Sequence, residues 1–260
     1  MLIKPDKKYI PSLKKLWLEV FGDEEEYIDL FFKKAYFHCD TFAEAVDSEI
    51  VSALYLLGAD IKLQDRIYKG RYLYAAATLE RCRSKGFMAK LINEAISFAE
   101  KENLDFIALV PANDGLYSYY ERFAFKEAMY KYKAHIDSET STMRAYREID
   151  DWREFDKIRS SGECDMLLFD SVCNEYAFQC LRYGDTRVFY IDDTSYYADG
   201  EELFCSDKEK AVNMMNNLCG ESVVYTNCSL ENAEKIRNGM LYCLNDDLKN
   251  KEIYMNIALD

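Results

Sequence analysis

Two stretches of the chain hold residue types whose spacing can do chemistry. The first is residues 80–91, ERCRSKGFMAKL, where Arg83, Lys85 and Gly86 form a basic, glycine-bearing turn. It follows the apolar run Leu73–Leu79, which suits a strand buried on both faces. Beyond it, Phe87, Leu91, Ala95, Phe98 and Ala99 recur near the three-to-four spacing of one helix face. The turn therefore sits at a helix N-terminus, where the first N–H groups lack intrahelical partners and the dipole adds positive charge. An anion, above all a pyrophosphate, is favoured there. Gly86 lets the backbone approach such a ligand, and Arg83 and Lys85 add charge. A plain connection has the same composition, so the loop alone also admits a purely structural role. The second stretch is residues 111–130, PANDGLYSYYERFAFKEAMY. Gly115–Phe123 reads as a short helix with Tyr117 and Tyr120 three apart on one face and Tyr119 pointing elsewhere. A phenol beside a reacting centre can donate a proton. In a chain with 21 tyrosines, half-buried packing is the competing role for each.

Together these stretches resemble the GCN5-related N-acetyltransferases. Arg83, Gly86 and the following Met88-Ala89 resemble that family's R-x-x-G-x-[GA] loop, whose amides hold the pyrophosphate of coenzyme A. Asn113, Leu116, Tyr120, Arg122, Phe123 and Phe125 resemble its N-x-x-[AL]-x-x-x-Y-x-[KR]-x-G-F run. The sequence departs from the pattern at Met88, where Gly or Ala is usual, and at Ala124, which replaces a glycine. A bulky residue at the first of these is also seen in the tandem-domain, enhanced-intracellular-survival type of acetyltransferase. The resemblance covers residues 1 to about 136. It implies an acyl-CoA N-acyltransferase fold, a mixed α/β sheet, with acetyl-CoA as co-substrate and no metal. It also implies the site: backbone contacts from Ala76, Ala77, Thr78 and Leu79, on a strand whose bulge exposes an N–H to the thioester carbonyl. The loop Arg83, Ser84, Lys85, Gly86, Phe87, Met88 and Ala89 is implied to hold the cofactor with Asn113. Tyr120 is implied to be the acid for the departing thiolate. For the base, Glu80 is adjacent, Tyr72 stands where some relatives have a glutamate, and a water chain is the third option.

The elements that must position these groups are legible in order. Met1–Lys4 reads as a short strand broken at Pro5-Asp6. A helix with Leu13, Leu16, Trp17 and Val20 stops at Gly22, and Asp23 opens a second with acidic residues in its first turn. On that second helix Tyr27, Phe31, Phe32 and Tyr36 form a stripe that either packs the core or, as the resemblance implies, walls the acceptor pocket. Phe42–Val46, Ile50–Leu57 and Ile67–Leu79 read as a strand meander, and Asp105–Pro111 as the strand after the crossover helix.

The remaining half repeats this order of elements. TMRAYREI reads as a strand, DDWREFDKIRSSG and DSVCNEYAFQCLRYG as helices, RVFYIDD, SYYADG and ELFCS as a meander, and DKEKAVNMMNNLCG as a helix. SVVYTN is then a strand, LENAEKIRNG a short helix, and MLYCLN with IYMNIALD a closing pair. Where the first half has its basic loop, this half has Ser206-Asp207, which can cap a helix but lacks glycine and basic residues. Two domains are expected: residues 1–136 with the coenzyme A loop, and residues 143–260, a degenerate second domain of the same kind holding no cofactor, or an unrelated α+β domain. Asp137–Thr142, DSETST, is the expected polar linker. The larger tandem enzymes carry a further sterol-carrier-like domain, which is not expected in a chain ending at Asp260.

Composition narrows the function classes. The net charge of −14 argues against nucleic acid or an anionic membrane surface as partner. Residues 1–140 carry 20 basic and 23 acidic side chains and residues 141–260 carry 13 and 24, so the halves stand at −3 and −11. Such acidity serves solubility or draws a cationic substrate. No window approaches the roughly 18 to 20 apolar residues of a membrane span. Nine cysteines without a C-x-x-C pair, and two histidines, point away from zinc or a disulfide scaffold and toward reduced thiols in the cytoplasm. The expected activity is acetyl transfer to the amine of a small, cationic acceptor. The alternative is a coenzyme A-binding sensory or interaction module without turnover.

Overall fold

The computed structural model describes residues 2–3, 6–138, 146–161, 164–205, 207–215, 220–231 and 233–255. Its contacts divide the chain into two units that are not contiguous in sequence. The first holds Met1–Asp60, Tyr68–Lys126 and Met240–Lys249; the second holds Ile61–Ile67, Glu127–Gly239 and Asn250–Asp260.

In the first unit, helix α1 (Ile10–Phe21) starts with Pro11 in its first turn and ends at Gly22, whose φ of 74° and N–H bond to the Leu18 carbonyl make a left-handed cap. Helix α2 (Glu25–Lys34) has Glu25 and Glu26 in its first turn and Lys33 and Lys34 in its last, as the dipole prefers. Strands β1 (Leu2–Ile3), β2 (Asp40–Val46), β3 (Glu49–Leu63) and β4 (Arg66–Thr78) follow in order across the sheet, then β5 (Phe106–Leu109). β4 and β5 are parallel, joined through helix α3 (Phe87–Lys101). After helix α4 (Asp114–Glu121) the chain leaves this unit, and β12 (Ala233–Cys243) returns to complete it. Met240–Cys243 pair antiparallel with Leu109–Phe106. One sheet face buries Leu54, Leu73, Ile107 and Leu109 against Leu91, Ile92 and Ala95 of α3 and Tyr117 and Tyr120 of α4. On α1 and α2, Trp17 and Phe31 pack edge-on against Tyr74 of β4 and Tyr55 of β3, Phe31 to Tyr55 at 4.8 Å and Trp17 to Tyr74 at 5.5 Å between ring centres. Phe31, Phe32 and Tyr36 of the aromatic stripe are thus core residues, while Tyr27 is half-buried with its hydroxyl 3.3 Å from that of Tyr74.

The second unit runs through β6 (Lys126–Ser138), α5 (Trp152–Ser161), β7 (Met166–Phe169), α6 (Ser171–Tyr183) and the meander β8 (Val188–Asp192), β9 (Ser195–Ala198), β10 (Glu202–Phe204). Helix α7 (Lys208–Met215), β11 (Gly220–Thr226) and β13 (Ile253–Tyr254) follow. Its strand order is β6-β11-β10-β9-β8, with β10 and β11 parallel. Asp170 caps α6 by accepting from the Cys173 N–H at 2.9 Å. The core holds a charged cluster: Arg159 and Glu202 are 3% and 0% exposed and 3.5 Å apart. Tyr196 and Tyr254 both donate to the Glu202 carboxylate, and Arg159 donates to the Tyr196 oxygen at 3.2 Å. Removing one member of a buried ion pair costs about 3–5 kcal/mol, because the other charge is left without its partner. Arg159→Met is expected to lose that much in urea unfolding, read as a shift of the transition midpoint.

Four sequence expectations need correction. LENAEKIRNG, expected to be a helix, leads into β12: from Ala233 the backbone is extended. Helix propensity is a weak prior, and sheet pairing overrides it. Asp137 and Ser138 of the expected linker close β6, paired with Glu221 and Gly220, while 139–142 lie outside the described residues. TMRAYREI shows only an isolated bridge, Glu148 to Phe189, with residues 142–145 outside the described set. MLYCLN and IYMNIALD do not pair with each other: Met240–Cys243 lie beside β5, whereas Ile253–Tyr254, the strand of IYMNIALD, pairs with β6 and β7, and residues 256–260 are likewise outside. β7 had no sequence reading at all.

Candidate active site

The site forms where β4 and β5 part. They pair at Gly70, Arg71 and Tyr72 opposite Phe106, Ile107 and Ala108, and no further. Gly70 is required at the join, since a Cβ there would meet the Phe106 carbonyl and ring at 2.6 Å. Past Tyr72 β4 continues to Thr78 without β5, and Ala75 adopts φ 46° within it. A left-handed residue inside a strand is the mark of a bulge. Leu73 and Ala76 consequently pack against the same cluster, although simple alternation would put them on opposite faces. The β3 side of this segment is satisfied. Ser52 Oγ donates to the Ala77 carbonyl at 3.1 Å and lies 2.8 Å from Thr78 Oγ1, and the Leu79 N–H donates to the Val51 carbonyl at 3.0 Å. The other edge of Leu73–Thr78 is without β5.

The loop follows directly. A 3₁₀ turn, Glu80–Cys82, leads to Arg83, whose Nε donates back to the Thr78 carbonyl at 3.3 Å. Ser84 has φ 61° and Gly86 φ 84°, and α3 begins after Gly86 with no side-chain cap. Left-handed residues placed this way turn successive N–H groups toward one side, the concavity that binds anions. A Cβ built on Gly86 meets nothing within 4 Å, so this face of the turn is unobstructed. Ser84, Lys85 and Gly86 are exposed, and Phe87, Met88 and Ala89 half-buried. Met88 packs against the α3/α4 cluster, so the bulk that departs from the motif is directed into the core and not across the loop. The donor set, the unobstructed turn and the parted strands fit the pyrophosphate and pantetheine of acetyl-CoA.

Asn113 is the exposed N-cap residue of α4, four residues past the end of β5, and makes no side-chain cap bond. Tyr120 is 7% exposed, its ring 5.4 Å from that of Tyr119 and 5.9 Å from that of Phe125. Burial, and then the neighbouring Tyr119, push its phenol well above the ordinary value. Tyr117 is also buried, and Tyr119 is half-buried beside Arg122, whose guanidinium stands 5.3 Å from its ring. Of the base candidates, Glu80 is exposed and Tyr72 is 2% exposed. Ala124 has φ 64°, which explains why a glycine suits the position. Relief of that strain outweighs the added freedom of the unfolded chain, so Ala124→Gly is expected to stabilise by about 0.5–1 kcal/mol, a rise of about 2–4 °C in Tm.

Residues 2–128 match the sequence model of the acetyltransferase (GNAT) domain family. This part of the chain is a GNAT acetyltransferase domain. Solved structures agree on the fold. A conserved protein of unknown function from Enterococcus faecalis V583 is 11% identical, with 95% of this chain and 73% of that one covered at a TM-score of 0.70. Eis1 from Mycobacterium abscessus is 7% identical over 93% and 73%, at 0.67. A GCN5-related N-acetyltransferase from Anabaena variabilis is 13% identical over 94% and 73%, at 0.66. At such identities the likeness shows the fold alone, the mixed α/β acyl-CoA N-acyltransferase fold. No curated protein matches the chain by sequence. Among the described residues no cluster of three or more His, Cys, Asp or Glu could hold a metal, the eight cysteines are free, and no helix is long and apolar enough to cross a membrane.

The second unit has a parallel pair too, but closed. Asn227, just past β11, accepts from the Cys205 N–H at 3.0 Å and donates to the Cys205 carbonyl at 2.8 Å, stitching the carboxyl ends of β10 and β11 together. Asp207 accepts from the Lys210 N–H at 2.8 Å and so occupies the start of α7. Ser206 lies outside the described residues. Sequence reasoning missed the bulge residue Ala75, the Ser52 tie and Gly70 in the GNAT domain, and Asn227 in the second unit.

Proposed function

We propose that the protein is an acetyl-CoA-dependent N-acetyltransferase of the cytoplasm, acting on the primary amine of a small, cationic acceptor. The observation that carries the reading is the parting of β4 and β5 at a bulge, directly ahead of a loop with two left-handed residues at the start of α3. When bound, acetyl-CoA supplies the activated acetyl group. The N–H groups of Ser84–Ala89 hold the pyrophosphate, with Arg83 and Lys85 adding charge and Asn113 flanking the site. Backbone groups of Ala76–Leu79 bind along the open strand edge, and the bulge at Ala75 turns an N–H toward the carbonyl that gains negative charge. Tyr120 holds a proton at its hydroxyl for the thiolate. A water chain serves as base, since Tyr72 is buried where relatives place a glutamate. The second unit is read as a degenerate domain of the same kind, without cofactor, because Asn227 closes its strand pair; its acidity favours a cationic acceptor.

The buried Tyr72 also favours a second reading, a coenzyme A-binding module that has lost turnover. One assay separates the two. Free-thiol release from acetyl-CoA across a panel of polyamines, aminoglycosides and simple primary amines is expected to rise with protein concentration. Coenzyme A binding without release on any amine would support the module instead, and the absence of binding would sink both.

A further inference from the structure

The cofactor loop contains a cation that the phosphate site does not use. Arg81 is the middle residue of the 3₁₀ turn Glu80–Cys82. Its Nη1 donates to Glu19 of α1 at 2.8 Å and its Nη2 to Glu49 at the start of β3 at 2.6 Å. Lys15 of α1 donates to the same Glu49 at 2.9 Å. All four residues belong to the first unit. The two carboxylates, with Leu79 at the end of β4, line a cavity of about 370 Å³. One guanidinium therefore ties the loop both to a helix and to the strand next to β4.

We propose that Arg81 is a positioning residue for the cofactor loop: bridging Glu19 and Glu49, it holds the loop in its anion-binding shape and neutralises two carboxylates that would otherwise oppose the pyrophosphate. The role rests on the reading of this loop as the coenzyme A site. The geometry supports it in two ways. The backbone of the loop is strained at Ser84, a non-glycine residue in the left-handed region, and such a conformation persists only where its surroundings hold it. Leu79 to Val51 holds the strand end and Arg83 to Thr78 ties the loop back to β4 alone, whereas Arg81 fixes the turn to α1 and β3. Exposed ion pairs add little to global stability, so the effect is local.

The test uses the full chain. Arg81→Ala is expected to weaken coenzyme A binding in calorimetry about tenfold, more at low salt, through the loss of the loop's anchor and of one positive charge in it. Amide hydrogen exchange across residues 82–90, measured on the protein without ligand, is expected to quicken while the melting temperature stays within about 2 °C. Arg81→Lys, which keeps the charge but cannot span both carboxylates, is expected to restore part of the affinity and little of the protection. The triple change Arg81→Ala, Glu19→Gln, Glu49→Gln is expected to recover only the electrostatic part of the affinity and none of the protection; full recovery of affinity with the loop still unprotected would overturn the positioning role. Arg81→Ala with unchanged exchange and unchanged affinity would overturn the proposal. Faster loop exchange in a protein whose parent does not bind coenzyme A would uphold the positioning of the loop and overturn the cofactor reading instead.

Discussion

Tyr120→Phe is expected to lower kcat on a good amine substrate by about 10² to 10⁴, with acetyl-CoA affinity held within a few-fold. The ring contacts to Tyr119 and Phe125 survive the change, so packing and the shape of the cleft are kept. Among the described residues the buried side-chain polar atom lacking a partner is Arg159 Nε, so the Tyr120 hydroxyl is not sealed in the core, and its removal strands no partner. The raised pKa works in two directions. It keeps the phenol protonated through neutral and alkaline pH, so this acid is lost only as pH climbs through its folded-state value, above the ordinary 10. It also makes donation to a thiolate more uphill than for an ordinary phenol, which places more weight on position than on acidity. A parent pH profile should therefore show no fall on the alkaline side from Tyr120 below pH 10. Tyr117→Phe, on the same helix face, is the control and should stay within a few-fold. Parent-like turnover by Tyr120→Phe would return Tyr120 to a packing role.

Gly86→Glu should abolish measurable coenzyme A binding while the protein still folds. At φ 84° any side chain is strained, by about 1–2 kcal/mol, which a domain of this size tolerates. An added Cβ clashes with nothing. The carboxylate then stands where a pyrophosphate must lie. Like charges about 4 Å apart cost about 1 to 4 kcal/mol across the range from bulk water to a protein surface, and the lost volume adds to this. Gly86→Ala separates the two contributions: it carries the backbone strain without the charge and should lose far less affinity. Calorimetry showing parent-like affinity for Gly86→Glu, with a normal melting curve, would remove the loop from the site.

Features written within a few neighbouring residues were legible in the sequence. The loop was, because a glycine, two cations and a change of hydrophobic period are all local. So was the Gly22 stop of α1 and the acidic opening of α2. The bulge was not readable to the residue: three consecutive alanines, Ala75–Ala77, offer no contrast to show which one is extra. Met88 and Ala124 looked like departures from the motif, and each has a physical account only in three dimensions, a half-buried side chain packed on the core in one case and a left-handed backbone in the other. The helix expected at LENAEKIRNG failed for the opposite reason. Its charged, helix-tolerant composition is local information, whereas the strand that Ala233–Gly239 enter takes its place between β5 and β6, both remote in the chain.

That remote partner gives the protein an order of assembly. β5, the strand that borders the cofactor cleft, receives its outer neighbour from Met240–Cys243. During synthesis every residue of the loop, the bulge and α4 leaves the ribosome long before that neighbour does, and at about 5–20 residues per second the wait lasts on the order of ten seconds. Through that interval the nascent GNAT domain presents an open, apolar strand edge, the kind of surface that recruits chaperones or pairs with the wrong chain. A premature stop anywhere between Glu127 and Gly239 would therefore silence the first unit, although every residue proposed to touch acetyl-CoA had already been made.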